Sequence, residues 1–152
     1  MSNAYTSAGT KIYIGDALPG TYDKSGFEAV EWTEIGEVTD LGEFGKEYSI
    51  VNHNPLGSRQ TIKRKGSFDN GSISLSLAKD ATDAGQTALL AALDSDDSYA
   101  FKIELADADV THLYTSAQVS SFTYNVGGTD TITGSTVALQ IDNDILEEEA
   151  PV

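Results

Sequence analysis

The chain has 152 residues, with 24 acidic and nine basic side chains and a formal net charge of −15. A length of about 150 residues suits one domain with a full hydrophobic core. There is no cysteine, which excludes a disulfide scaffold, a thiolate metal centre and a cysteine nucleophile.

Along the chain, alternation of period two dominates, the mark of half-buried strands. After a short N-terminus expected to be flexible (about residues 1–8), residues 11–14 open the pattern, with Ile12 and Ile14 on one face. Residues 15–29, holding Pro19, Gly20 and Gly26, read as a loop. Residues 32–40 and 46–51 read as strands around the turn-rich segment 41–45. Residues 52–66, with Asn54-Pro55 and two glycines, read as a second long loop, and loops of such length tend to be functional or disordered. The strand at 72–77 is the clearest: Ile73, Leu75 and Leu77 point one way, Ser72, Ser74 and Ser76 the other.

The period then changes. One helix is expected, at about residues 81–94, capped by Asp80 or Thr82, with Asp83 favouring its positive end. Leu89, Leu90 and Leu93 form an apolar stripe at helical spacing, expected to lie on the flank of a sheet. Alternation resumes at Tyr99, Phe101, Ile103 and Leu105. Strands follow at 112–126 and at 130–143, with Val137, Leu139 and Ile141 on one face. Gly127-Gly128 between them reads as a hairpin signal. Residues 144–152, with Glu147, Glu148 and Glu149, read as a solvated acidic tail. No internal repeat or second domain is visible. Residues 1–152 therefore predict a single mainly β domain: a β-sandwich or partly closed barrel of two sheets, with one flanking helix and long loops.

The longest apolar run, residues 88–93, falls far short of the ~20 residues of a membrane span. No basic stretch followed by an apolar one opens the chain, so neither a signal peptide nor a membrane partner is expected. Apolar content of 39% in regular alternation argues for folding over disorder. The strong negative charge repels other polyanions, and tight DNA binding would need cations to release phosphate counterions.

Catalytic chemistry finds little footing. The two histidines, His53 and His112, sit in no nucleophile motif of the kind a triad needs. They read as a loop residue and a strand-edge residue. Asp94-Ser95-Asp96-Asp97 offers three carboxylates, but a calcium loop needs Gly at its sixth position and Glu at its twelfth. Tyr99 and Leu105 stand there, so the segment reads as an acidic turn. Gly127-Gly128 lacks the Lys-Ser/Thr of a phosphate loop. No catalytic residue, cofactor or metal site is expected.

One charge feature stands out. Arg59, Lys63, Arg64 and Lys65 put four of the nine basic side chains into one stretch of an acidic chain. A basic arm on an acidic body fits head-to-tail contacts between copies, which generate rings or filaments.

The order of elements resembles that of the tail tube proteins of long-tailed bacteriophages. The likeness runs over about residues 8–143. It is carried by Ala8-Gly9-Thr10-Lys11-Ile12-Tyr13-Ile14, by Ile35-Gly36-Glu37-Val38-Thr39-Asp40-Leu41, and by the strand-helix-strand segment from Ser74 to Ile103. Val119-Ser120-Ser121-Phe122, Asp130-Thr131-Ile132-Thr133 and Val137-Ala138-Leu139-Gln140-Ile141 complete it. No single motif is a signature; the order carries the weight.

The resemblance implies a structural virion protein of the phage tail, with no catalysis. Its copies would form stacked rings, usually of six, around an acidic lumen that conducts DNA without binding it. It also implies that inner sheets of neighbouring copies join into one barrel and that the long loop reaches an adjacent ring. Tape-measure, terminator and tip proteins would be the other partners. On this reading Arg59, Lys63, Arg64 and Lys65 make the inter-ring contact, and Glu37, Asp40, Glu43 and Glu47 face the lumen. The alternatives are a tube component of a related contractile injection or secretion machine, and an extracellular β-sandwich binding or adhesion module. The latter usually exposes aromatics for stacking, whereas Trp32 and most Tyr and Phe fall in strand patterns.

Overall fold

The computed structural model describes residues 3–149. The expected flexibility of residues 1–2 and solvation of 150–152 lie outside the described residues. The elements in chain order are β1 Lys11–Gly15, α1 Lys24–Glu28, β2 Trp32–Ile35, β3 Val38–Asp40, β4 Glu47–His53, β5 Ile62–Asp69, β6 Ser72–Ala78, α2 Ala84–Leu93, β7 Tyr99–Glu104, β8 His112–Asn125, β9 Gly134–Ile141 and β10 Leu146–Glu148. The mainly β expectation holds, in two sheets. Eight strands form one antiparallel sheet in the order β2-β1-β7-β8-β9-β6-β3, with β10 beside β8, and β4 pairs with β5 alone.

Period two explains how the large sheet makes a core. Ile12, Ile14, Ile35, Ile73, Leu75, Leu77, Phe101, Ile103, Val119, Phe122, Val137, Leu139 and Ile141 all turn to one face and share one buried cluster with Leu89 and Ala92 of α2. Full burial of each such side chain stabilises by about 1.5–3 kcal/mol. Ile35 on edge strand β2 and Leu77 beside edge strand β3 join the same cluster, so the sheet curls around its core without closing. Helix α2 packs against β8, β2 and β1. On the outer face of the same sheet, Phe27, Ala100 and Tyr114 form a second, smaller cluster with Tyr22, Val30, Trp32 and Leu146, so segment 16–31 covers that side.

The strand expected at 32–40 is two strands. The chain breaks at Gly36-Glu37, where Glu37 adopts a positive φ of 61°, and β2 and β3 become the opposite edges of the curled sheet. Asp83 and Gln86 span the gap. The Asp83 carboxylate accepts from the Gly36 N–H at 3.0 Å and caps α2 through the Gln86 N–H, also at 3.0 Å. The expected caps therefore move: Asp83 is the N-cap, and Asp80 instead accepts from Thr82 in the preceding turn. The stripe prediction holds for Leu89, which is fully buried, with Leu90 and Leu93 packed beside it.

Other boundaries differ from expectation. Segment 15–29 holds a short helix, α1, N-capped by Asp23, so α2 is not the sole helix. The 52–66 loop is partly strand: β4 runs to His53 and β5 begins at Ile62, leaving 54–61 as the connection. The β8–β9 connection is wider than a Gly-Gly hairpin, because the ladder ends at Asn125 and Gly134. The acidic tail is not wholly solvated, since Leu146, Glu147 and Glu148 pair with Tyr114, Leu113 and His112. Backbone pairing there is indifferent to the charge of the side chains.

Candidate assembly surfaces

The β4–β5 ribbon carries the basic cluster, and pairing decides how its charges are displayed. Tyr48 pairs with Phe68, Ile50 with Lys65 and Asn52 with Lys63, while Val51 pairs with Arg64 and His53 with Ile62. Cross-strand partners share a face. Lys63 and Lys65 thus stand with Tyr48, Ile50 and Phe68 on one face, and Arg64 with Val51 on the other. Arg59 lies in the connecting turn. The four sequence-predicted residues are brought onto one projecting element but not onto one surface.

Every residue of β4 is exposed, Ile50 and Val51 at 55% each, and Leu56 at the tip is fully exposed. Lys46 lies 4.3 Å from the Phe68 ring centre and Lys65 4.8 Å from that of Tyr48, so cations flank an aromatic pair. A two-stranded ribbon with both faces wet is marginal by itself. These side chains need a covering surface that the described residues do not supply.

The four acidic candidates gather along β6. Asp40 pairs with Ser76. The backbone carbonyl of Glu37 accepts from the Ala78 N–H at 2.8 Å. Glu43 and Glu47 share a surface depression with Ser72. They therefore border one strand, Glu37 from the seam, Asp40 from the end of β3, Glu43 from the β3–β4 connection and Glu47 from the start of β4.

The strand edges without a partner among the described residues include the outer edge of β3, and residues 118–125 of β8 on the side where β7 ends opposite Ala117. Between these edges lies the four-stranded section β3-β6-β9-β8. Open edges template pairing with another chain.

A charged cluster occupies the opposite side of the curl. Glu104 receives Tyr13 Oη at 3.3 Å, Lys102 Nζ at 3.6 Å and His112 Nε2 at 3.3 Å. Lys102 also lies 4.3 Å from the Tyr13 ring centre. Burial lowers the Lys102 and His112 pKa values. Burial, then Glu104 and Glu34, pushes the Tyr13 phenol up to about 12; Tyr114 is raised to about 12, by burial and then by Glu28, Glu104 and Glu148. His112 is 5% exposed and flanked by β7 and β10, so it is no edge residue; the tail strand supplies the neighbour that its sequence position hid. His53 ends β4, exposed. Segment 94–97 is a turn after α2, where Ser95 Oγ accepts from the Asp97 N–H at 3.1 Å. Among the described residues no three His, Cys, Asp or Glu side chains converge on a metal-sized site.

No protein-family model and no curated protein matches this chain. Solved structures do. A chain in the six-fold symmetrised cryo-EM structure of the anti-feeding prophage baseplate superposes with a TM-score of 0.71 at 13% identity, over 100% of both chains. A chain in the sheath/tube terminator structure of the PVC extracellular contractile injection system, in its extended state, gives 0.67 at 13% identity, over 97% of this chain and 99% of that one. The SPP1 tail tube gives 0.64 at 15% identity, over 94% and 78%. At these identities the likeness is one of fold, and the fold is that of tail tube and contractile-injection tube components.

Proposed function

We propose that this chain is a structural virion subunit without catalytic activity, whose copies assemble into stacked rings, six to a ring, forming the tube of a phage tail that conducts DNA. The observation that carries this is the pair of open edges, on β3 and on residues 118–125 of β8, bounding one continuous four-stranded section. An edge of one copy meeting the opposite edge of the next is a heterologous contact, which generates a ring when the rotation between copies closes. It also removes the aggregation liability of both edges. The exposed ribbon supports stacking: Arg59, Lys63, Arg64 and Lys65 meet the acidic body of a copy in the adjacent ring, and Ile50, Val51 and Leu56 are covered there. Glu37, Asp40, Glu43 and Glu47 stand at the margin of the lumen. Tape-measure, terminator and tip proteins complete its surroundings in the particle.

A second reading, a terminator of a contractile injection machine, is favoured by the likeness to the chain from a sheath/tube terminator structure. Negative-stain electron microscopy of concentrated protein separates the two. Tubes of many rings identify a tube subunit, and discrete rings that never stack identify a terminator. Monomers at every concentration and salt would remove both readings and leave the binding module.

A further inference from the structure

The root of the β4–β5 ribbon sits beside the acidic C-terminal segment, and three groups of complementary chemistry meet there. Glu47 pairs with Asp69 and Tyr48 with Phe68, so the same register sets Lys46 opposite Asn70. One step further out, a Cβ on Gly71 would lie 3.5 Å from the Gly45 carbonyl oxygen, so the two backbones stay adjacent past that pair. Residues directly opposite on neighbouring strands hold their Cβ atoms about 4.5–5.5 Å apart. Lys46 Nζ lies 3.4 Å from Asp144 Oδ1. Lys46, Asn70 and Asp144 line one pocket with Phe44, Leu113 and Ile145.

Asn70 is the odd member. It is 8% exposed, and among the described residues nothing donates to its buried Oδ1. A buried polar atom left unmet in a fold is uncommon and calls for a reason. The sequence Asn70-Gly71 would suit attack by the Gly71 nitrogen on the side chain, but that N–H donates to Asp69 Oδ1 at 2.8 Å. The nucleophile placed across the strands is the Lys46 amine.

We propose that Lys46 and Asn70 join in an intramolecular isopeptide bond, formed by the protein itself, with Asp144 moving the protons. In the ion pair Lys46 is an ammonium. Passing one proton to the Asp144 carboxylate leaves a neutral amine, whose lone pair attacks Asn70 Cγ. The Nζ–Cγ bond forms and the carbonyl π pair moves onto Oδ1. One Nζ proton then passes to Nδ2, the Cγ–Nδ2 bond breaks as the carbonyl re-forms, and ammonia leaves. Ammonia takes the proton held by Asp144 and departs as ammonium. The carboxylate is thereby restored, and no oxidant, cofactor or second protein is consumed. Amides resist amines in open solution, but well-oriented intramolecular pairs reach effective molarities of roughly 10⁵–10⁸ M. Burial of Asn70 shields the attacked carbon from water, whereas the Lys46 and Asp144 side chains reach the surface, which lets ammonium escape. The bond closes residues 46–70 into a covalent loop and fixes the root of a ribbon that is marginal as a bare hairpin. It needs one chain only and does not depend on the assembly reading.

Intact-mass measurement on the purified full chain, fresh and after incubation, tests this. The folded parent should become lighter by one ammonia. Trypsin should then fail to cut after Lys46, and peptide 25–59 should be found joined to peptide 66–79. Lys46→Arg keeps the charge and should keep its full mass. Proton transfer by a positioned side chain is worth roughly 10²–10⁴-fold, so Asp144→Asn should slow the linkage by about a hundredfold or more. A parent that holds its full mass throughout would overturn the proposal, as would a urea-unfolded chain that loses ammonia as fast as the folded one. Ammonia loss that survives in Lys46→Arg would mark a succinimide at Asn70-Gly71 and overturn it too. An undiminished rate in Asp144→Asn would do the same to the mechanism.

Discussion

The side-chain amide of Gln86 donates to the backbone carbonyl of Gly36, 50 residues earlier in the chain, at 3.2 Å. The same amide donates to the Ala78 carbonyl at 2.9 Å, and its oxygen accepts from the Asp80 N–H at 2.9 Å. One fully buried side chain thus holds the crossing between the two sheet edges to the end of β6 and the start of α2.

Replacing Gln86 by Leu strands two carbonyls and an N–H inside the fold. The expected cost is on the order of 2–4 kcal/mol, given ~1–3 kcal/mol per unmet buried group and partial relaxation. Urea unfolding should show a lower midpoint with an unchanged slope. A midpoint equal to the parent's would mean that the seam is held by packing alone.

Gly85 sets a second constraint at the same seam. A Cβ there would sit 2.2 Å from the Glu34 carbonyl oxygen and 2.5 Å from the Ile35 Cα. Alanine gains about 1 kcal/mol in helix propensity over glycine, but backbone contacts cannot rotate away. Gly85→Ala should lower stability by about 1–3 kcal/mol through overpacking, read as a drop in melting temperature. A rise would show that α2 can slide off β2 freely.

The buried histidine gives stability a pH dependence. Burial holds the folded pKa of His112 below its ordinary 6.5, against the pull of Glu104 and Glu28 and with the help of Lys102 and Lys24. The unfolded chain therefore binds this proton more readily. The contribution is intact above 6.5 and is lost as pH falls through that value towards the lower folded one. Between about pH 7 and about pH 5, where an ordinary histidine titrates, His112→Gln should lose stability less steeply than the parent. Parallel slopes would remove His112 as the cause.

Charge reversal tests the ribbon. Lys63→Glu, Arg64→Glu and Lys65→Glu together take the net charge from −15 to −21, two units per reversal. The same reversals at Lys11, Lys24 and Lys79 make a control of equal charge. The ribbon positions and Lys11 are exposed, where such changes shift stability by only about ±0.5 kcal/mol, while Lys24 and Lys79 are half-buried, so the folding of the control is checked by its unfolding midpoint. The ribbon set should abolish stacking in light scattering and the control should not. Equal behaviour of the two sets would deny the ribbon a special role.

DNA should pass the surface without being held. The net charge is −15, and β6, β8 and β9 carry no Lys or Arg. A low-salt gel shift should show no retention at micromolar protein; a clear shift would contradict the conduit.

Strands with one buried face were legible in the sequence. Ile73, Leu75 and Leu77 against Ser72, Ser74 and Ser76 announce β6 by alternation alone. β5 was hidden because both its faces are wet, so Ile62 to Asp69 shows no apolar period, and a bulge at Gly66 and Ser67 breaks what regularity remains. The seam was hidden for the opposite reason. Apolar residues continue through Ile35 and Val38 with a single three-residue step between them, and the positive φ of Glu37 marks the switch from one edge of the sheet to the other. Of the candidate site, the basic cluster was visible as composition. Its division over two faces was not, because that depends on pairing with β4.

The bare ribbon also bears on kinetics. A hairpin that buries little keeps a low free energy of local opening, so its amides should exchange quickly in the monomer. Two solitary copies meeting would have to settle two such hairpins for one contact. A copy arriving at an existing rim finds its covering surface already in place. Growth would then outrun spontaneous initiation, with a lag phase that preformed seeds abolish, and tube length would follow the number of starting platforms more than the supply of subunits.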